Sequence, residues 1–140
     1  MIVNSLKEYC SWEEVVFLVK LIAYKVQKSG KKYDVILGIT NGGIIPACLM
    51  ARELRINDIQ FIQVRNKKMQ NQQMPILYKS KKYLIVDEIY DTGDTFSKVY
   101  DAVKGFCCDF AFLMCRYNQN DQFLVAKVLN HNKYVVFPWE

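Results

Sequence analysis

Between Val15 and Val26 the apolar residues Val15, Val16, Val19, Ile22, Ala23 and Val26 recur at the spacing of one buried helix face. Ser11 stands three residues before Glu14, the arrangement of a capping box, so a helix is expected from there to about Ser29. Gly30 and the Lys31-Lys32 pair close it. The spacing then changes. Residues 33–39 form a short, nearly continuous apolar run that reads as a buried strand. The turn Thr40-Asn41-Gly42-Gly43 leads into helical spacing over 44–54, with Pro46 in the first turn, where a missing N–H is tolerated. Residues 59–64 are strand-like. Residues 65–80 are basic and glutamine-rich without periodicity, and are expected to form a long exposed loop or a loose hairpin. A second buried strand at 83–86 ends in two acids and a turn. A helix from about 95 to 104 and an apolar strand from about 110 to 115 come next, with a last strand at 134–137.

Strand, turn and helix thus repeat, which points to an α/β fold: an open, mainly parallel sheet flanked by helices. Ligands of such folds gather at the carboxyl ends of the strands, and both turns fall there. A length of 140 residues suits one domain, 1–140. With 51% hydrophobic and 24% charged residues the chain can bury a core, which excludes a disordered or fibrous protein. No apolar run approaches the roughly 18 residues of a membrane span. The start MIVNSLKEYC lacks the basic end and apolar core of a secretory signal. A soluble, cytoplasmic protein without membrane contact is expected. Cys10, Cys48, Cys107, Cys108 and Cys115 follow no CxxC spacing and are expected as reduced, buried thiols. His131 is the only histidine, which argues against zinc and suggests an exposed turn residue. The net charge of +5 suits an anionic partner.

The chemistry is concentrated in Val86-Asp87-Glu88-Ile89-Tyr90-Asp91-Thr92-Gly93-Asp94-Thr95. Gly93 lets backbone amides approach an anion, Thr92 and Thr95 add hydroxyl donors, and a helix N-terminus completes a phosphate cradle. Asp94 contributes its amide to that nest. Asp87 and Glu88 at a strand end can take the hydroxyls of a ribose or hold Mg²⁺ through water. Together they describe a binder of a sugar phosphate. An Asp-Thr-Gly turn and a helix cap would explain fewer of these residues.

This stretch resembles the PRPP (5-phosphoribosyl-1-pyrophosphate) motif of the type I phosphoribosyltransferases, which runs apolar residues, two acids, two variable residues and then acid-Thr-Gly-x-Thr. The resemblance extends over nearly the whole chain. It implies that Asp87 and Glu88 meet the ribose hydroxyls and Mg²⁺, and that Asp91, Thr92, Gly93, Asp94 and Thr95 surround the 5-phosphate. Asp91 would lie near the purine N7 and handle a proton. Thr40, Asn41, Gly42 and Gly43 occupy the family's pyrophosphate loop, although similar purine enzymes carry Arg or Lys where Asn41 stands. Arg65, Lys67 and Lys68 in the next loop are candidates to replace that charge, and with Tyr78 and Lys79 they would belong to a flap closing over PRPP. Arg116 stands where a lysine would donate to a purine 6-oxo group. The C-terminal segment is similar to the hood of the small bacterial xanthine-guanine enzymes, with Tyr134 stacked on the base and the Val135 carbonyl reading its 2-position.

The resemblance therefore implies a PRPP- and Mg²⁺-dependent glycosyltransferase (a pentosyltransferase) of purine salvage, acting on xanthine, guanine or hypoxanthine as a homodimer or homotetramer. A PRPP- or nucleotide-sensing regulator that binds RNA is the alternative from another class, and a pyrimidine or adenine enzyme is a third. RNA binding would need a basic stripe with interleaved aromatics, whereas the lysines here are scattered, so nucleic acid is not the expected partner.

Overall fold

The computed structural model describes residues 6–66, 68–117 and 122–140. In chain order its elements are β1 (Lys7–Tyr9), α1 (Trp12–Ser29), β2 (Val35–Ile39), α2 (Ile44–Leu54), β3 (Asp58–Ile62), β4 (Val64–Arg65), β5 (Lys68–Met69), β6 (Lys82–Tyr90), α3 (Asp94–Val103), β7 (Cys107–Arg116), β8 (Leu124–Leu129) and β9 (Tyr134–Val136). A five-stranded parallel sheet runs in the order β3-β2-β6-β7-β8. The expected open α/β architecture is therefore the one observed.

Alternate residues of the central strands feed two cores. Ile36, Leu84, Val86, Ala111 and Leu113 pack with the apolar faces of α1 and α2. Val35, Leu37, Tyr83, Ile85, Phe110 and Phe112 pack with Val99 and Val103 of α3. Burial on both faces is why these strands read as unbroken apolar runs. Helix α1 starts as its sequence requires, with Ser11 Oγ accepting from the Glu14 amide at 3.0 Å, and it closes at Gly30 with φ of 76°. Glu14's own carboxylate turns outward and accepts from Lys127 Nζ at 2.8 Å.

Two strands were not evident from the pattern. β8 forms the sheet edge beside β7, and β1 pairs in parallel with β9, Lys7 opposite Tyr134 and Tyr9 opposite Val136. β4 and β5 pair antiparallel, Val64 opposite Met69 and Arg65 opposite Lys68, and a single 3₁₀ turn follows at Asn71–Gln73. The cysteines differ from expectation in part. Cys10 and Cys115 are buried, but Cys48, off the buried face of α2, and Cys107, at the open start of β7, are exposed. Burial raises the Cys10 thiol to about 12, with help from the nearby Glu14 carboxylate. Among the described residues no helix is long and apolar enough to cross a membrane.

Candidate active site

The pairing pattern of β6 creates the site. β2 runs beside β6 only as far as Gly38 opposite Val86, whereas β7 follows it on to Tyr90 opposite Cys115. Asp87 is thus level with Ile39, the last residue of β2, and Glu88 lies just beyond it, where residues 40–43 cross over to start α2. That crossover is close-packed. A Cβ on Gly43 would come 2.5 Å from the Ile39 carbonyl oxygen and 2.6 Å from that of Val86. A Cβ on Gly42 would land 1.3 Å from Glu88 Oε2. Gly42 therefore makes room for the carboxylate itself. The Thr40-Asn41 peptide is cis.

Not every amide of this turn faces outward. The Gly43 N–H donates to the Ile39 carbonyl at 2.7 Å and that of Thr40 to the Ile62 carbonyl at 3.0 Å. Thr40 Oγ1 also accepts from the Val64 amide at 3.4 Å. Thr40 and Gly43 accordingly brace the turn, which leaves the amides of Asn41 and Gly42 as its candidate anion donors.

Asp87 is buried and accepts from the Glu88 amide at 2.8 Å. Loss of solvent and then the adjacent Glu88 carboxylate push its acid well above the ordinary range. Past the strand, Gly93 takes φ of 92°, a left-handed conformation suited to glycine, and caps α3. Thr92 Oγ1 accepts from the Asp94 amide at 3.3 Å, shaping the turn from within. The result is a hollow of about 180 Å³ lined by residues 87–96 and Phe112. Its floor is aromatic. Tyr90 Oη lies 2.6 Å from where a Gly93 Cβ would be, and its ring packs on Phe96, Phe112 and Phe123 with centroids 5.7, 5.4 and 5.3 Å away. Tyr90 occupies one of the motif's variable positions, so its supporting role carries no signal in the sequence. A hollow of about 440 Å³ lies at the opposite end of the strands, between the C-termini of α1 and α2, and includes none of these acids.

Four carboxylates (Asp87, Glu88, Asp91 and Asp94) and no lysine or arginine line the smaller hollow. A bound cation would offset these charges toward an anionic ligand. Among the described residues no group of three or more His, Cys, Asp or Glu forms a metal cage. Adjacent carboxylates without a cage suit Mg²⁺, which keeps most of its waters and shares ligands with phosphates.

The Arg116 guanidinium, at the end of β7, is turned to the chain itself. Nε donates to Asp91 Oδ1 at 2.7 Å, Nη1 to the His131 carbonyl at 2.6 Å and Nη2 to the Lys133 carbonyl at 3.1 Å. Tyr134 is exposed, with its hydroxyl donating to Glu140 Oε1 at 2.6 Å. That bond chiefly raises the phenol's pKa, and loss of solvent and then the Glu140 and Glu88 carboxylates push it the same way. Val135 is buried, and β9 bonds to the β1 segment through Tyr134 and Val136. By strand alternation the Val135 carbonyl points to the opposite side.

His131 is half-buried rather than exposed, its Nε2 lying 3.2 Å from Glu8 Oε1. Tyr78 and Lys79 sit beside the start of β6, the Tyr78 amide donating to Tyr83 Oη at 2.7 Å, which places them toward the other end of that strand from the acids. Arg65 and Lys68 are exposed on the β4–β5 hairpin. Lys67 and the first five residues lie outside the described residues.

The profile of the phosphoribosyl transferase domain matches residues 5–122. The chain belongs to this family. A purine phosphoribosyltransferase from Pyrococcus horikoshii superposes with a TM-score of 0.80 at 30% identity, covering 96% of this chain and 94% of that one. A xanthine-guanine phosphoribosyltransferase from Chromohalobacter salexigens is 25% identical over 138 residues, 93% of this chain and 82% of the relative. The corresponding protein of Cereibacter sphaeroides is 29% identical over 103 residues, 65% of this chain and 62% of that relative's length. Membership makes the chain a phosphoribosyltransferase, which is a class of glycosyltransferase.

Proposed function

We propose that this protein transfers the ribose 5-phosphate of PRPP to a 6-oxopurine (xanthine, guanine or hypoxanthine), releasing pyrophosphate in purine salvage. The observation that carries the reading is the hollow in which the Gly93 turn faces the Asp87–Glu88 pair, itself seated against Gly42. Thr92, Gly93, Asp94 and Thr95 hold the 5-phosphate at the N-terminus of α3. Asp87 and Glu88 take the ribose hydroxyls and, through water, Mg²⁺. The metal supplies countercharge to the pyrophosphate. Asn41 and Gly42 donate to the same group, and Arg65 and Lys68 stand on the adjoining hairpin to add charge that Asn41 lacks.

The base lies under Tyr134, with its 2-position toward the Val135 carbonyl. As the bond from C1 to pyrophosphate breaks, the electron pair leaves with pyrophosphate and positive charge grows at C1. The fixed carboxylates stabilise that charge, and the base nitrogen, held in line, forms the new bond. Asp91 accepts or returns a proton at the purine N7. The chain acts in the cytoplasm as one domain, and exposed Phe17 and Tyr24 on α1 offer an apolar face to further copies in a homodimer or homotetramer.

The test is pyrophosphate release from PRPP and Mg²⁺ against a panel of bases, with Asp91→Ala alongside. Release with a 6-oxopurine that is lost in the variant supports the reading. PRPP binding with no release for any purine or pyrimidine overturns it.

A further inference from the structure

We infer that Arg116 is a positioning residue, which clamps Asp91 of the phosphate turn to the backbone of residues 131 and 133 and so fixes the base-side acid and the hood as one unit. The inference rests on the phosphoribosyl-transfer reading and says how its base site is assembled. Three nitrogens of one planar group meet three acceptors, from the turn after β6 and from the segment ahead of β9. The Arg116 side chain is 11% exposed, whereas that of Asp91 is 53% exposed. The buried partner sets the geometry, and the exposed one is held by it.

The far side of the same segment is anchored too. The His131 ring lies against Glu8, and Glu8 shares Lys127 with Glu14 at 3.6 and 2.8 Å. With that anchor in place, the clamp determines how far Asp91 stands from the Tyr134 ring. A guanidinium suits this task because its donors diverge in a rigid plane, whereas a lysine ammonium is a point charge on a flexible stem and cannot hold the same three acceptors in fixed directions. A residue that read the purine 6-oxo group would need one donor aimed at the base, and an ammonium would serve.

Arg116→Lys and Arg116→Met separate the two roles. A clamp predicts that both variants lower kcat about 100-fold, the scale expected for a reacting group held about 1 Å out of place. The PRPP KM and the ratio of kcat/KM for hypoxanthine over adenine should stay within about twofold of the parent protein, since the clamp does not choose the base. Amide hydrogen exchange over residues 131–136 should quicken about tenfold in both. Wild-type kcat/KM in Arg116→Lys, or a loss confined to the 6-oxopurine KM with adenine unaffected, overturns the inference. If the parent protein transfers to no base, the functional reading fails by itself. The exchange measurement then decides the clamp, and unchanged exchange in both variants overturns it.

Discussion

Replacing Gly42 by alanine separates the needs of the site from those of the fold. The added Cβ would fall 1.3 Å from Glu88 Oε2 and 2.0 Å from Cδ. Carbon and oxygen settle near roughly 3.5 Å, so the carboxylate must withdraw by about 2 Å. The obstacle is the tip of a flexible side chain, and no backbone atom stands among the nearest contacts. Stability should therefore change by no more than about 0.5 kcal/mol, or about 2 °C in Tm. Withdrawal of Glu88 also relieves buried Asp87, whose acid it helps to raise. The effect on chemistry is larger, because a misplacement of about 1 Å costs on the order of 100-fold, or roughly 2.7 kcal/mol of barrier. Gly42→Ala should accordingly lose at least about 100-fold in kcat/KM for PRPP while melting like the parent protein. The double variant Gly42→Ala/Glu88→Ala should lose no more than Glu88→Ala alone, since both changes remove the same carboxylate from the same place. Steady-state kinetics and scanning calorimetry check this. Activity within threefold of the parent, or a fall in Tm beyond about 5 °C, would show that Gly42 does not serve to seat Glu88.

Three further outcomes are expected. Gly43→Ala meets the carbonyls of Ile39 and Val86, which cannot turn aside without moving two strands, and should cost about 1–3 kcal/mol in thermal or denaturant unfolding; an unchanged midpoint refutes it. In the ligand-free protein, folded Asp87 holds its proton to a higher pH than the unfolded chain, so wild-type stability falls as pH rises from about 4 through the raised folded value. Asp87→Asn lacks that titration, so its Tm advantage should widen across the same interval and then level off, and a constant difference in Tm across the series counts against it. Ser11→Ala removes the acceptor of the Glu14 amide and should cost about 1 kcal/mol with kcat unchanged, which paired melting and activity assays would check.

How much was visible in the chain depended on whether a residue's role was local. β2 and β6 are buried on both faces and announced themselves as apolar runs, and α1 carried both its cap and its stripe. The Gly93 turn was legible because a left-handed residue beside threonine, ahead of a helix, has few substitutes. β1 was not, since Lys7-Glu8-Tyr9 is a strand only because β9 lies beside it. β8, half-buried at a sheet edge with Lys127 in its middle, lacks the clean alternation that would mark it. Arg116 was found as a charge at a strand end, but its acceptors at 131 and 133 sit in a stretch without periodicity and become its partners only in three dimensions. Tyr90 was hidden for a different reason: the motif leaves its position open, and packing alone gives it a purpose.

The parallel pairing of Lys7–Tyr9 with Tyr134–Val136 has a consequence for synthesis at the ribosome. Residues 7–9 leave the exit tunnel early, but their partner strand is translated after all the other elements described. The Gly93 turn can form as soon as β6, β7 and α3 have emerged, whereas the β1–β9 pair waits for both of its ends to meet. Such a contact, very distant in sequence, pays its loop-closure entropy late. A stalled nascent chain lacking 134–136 would thus already hold the Gly93 turn, and on the proposed reading it would present the sugar-phosphate cradle before its base-side wall.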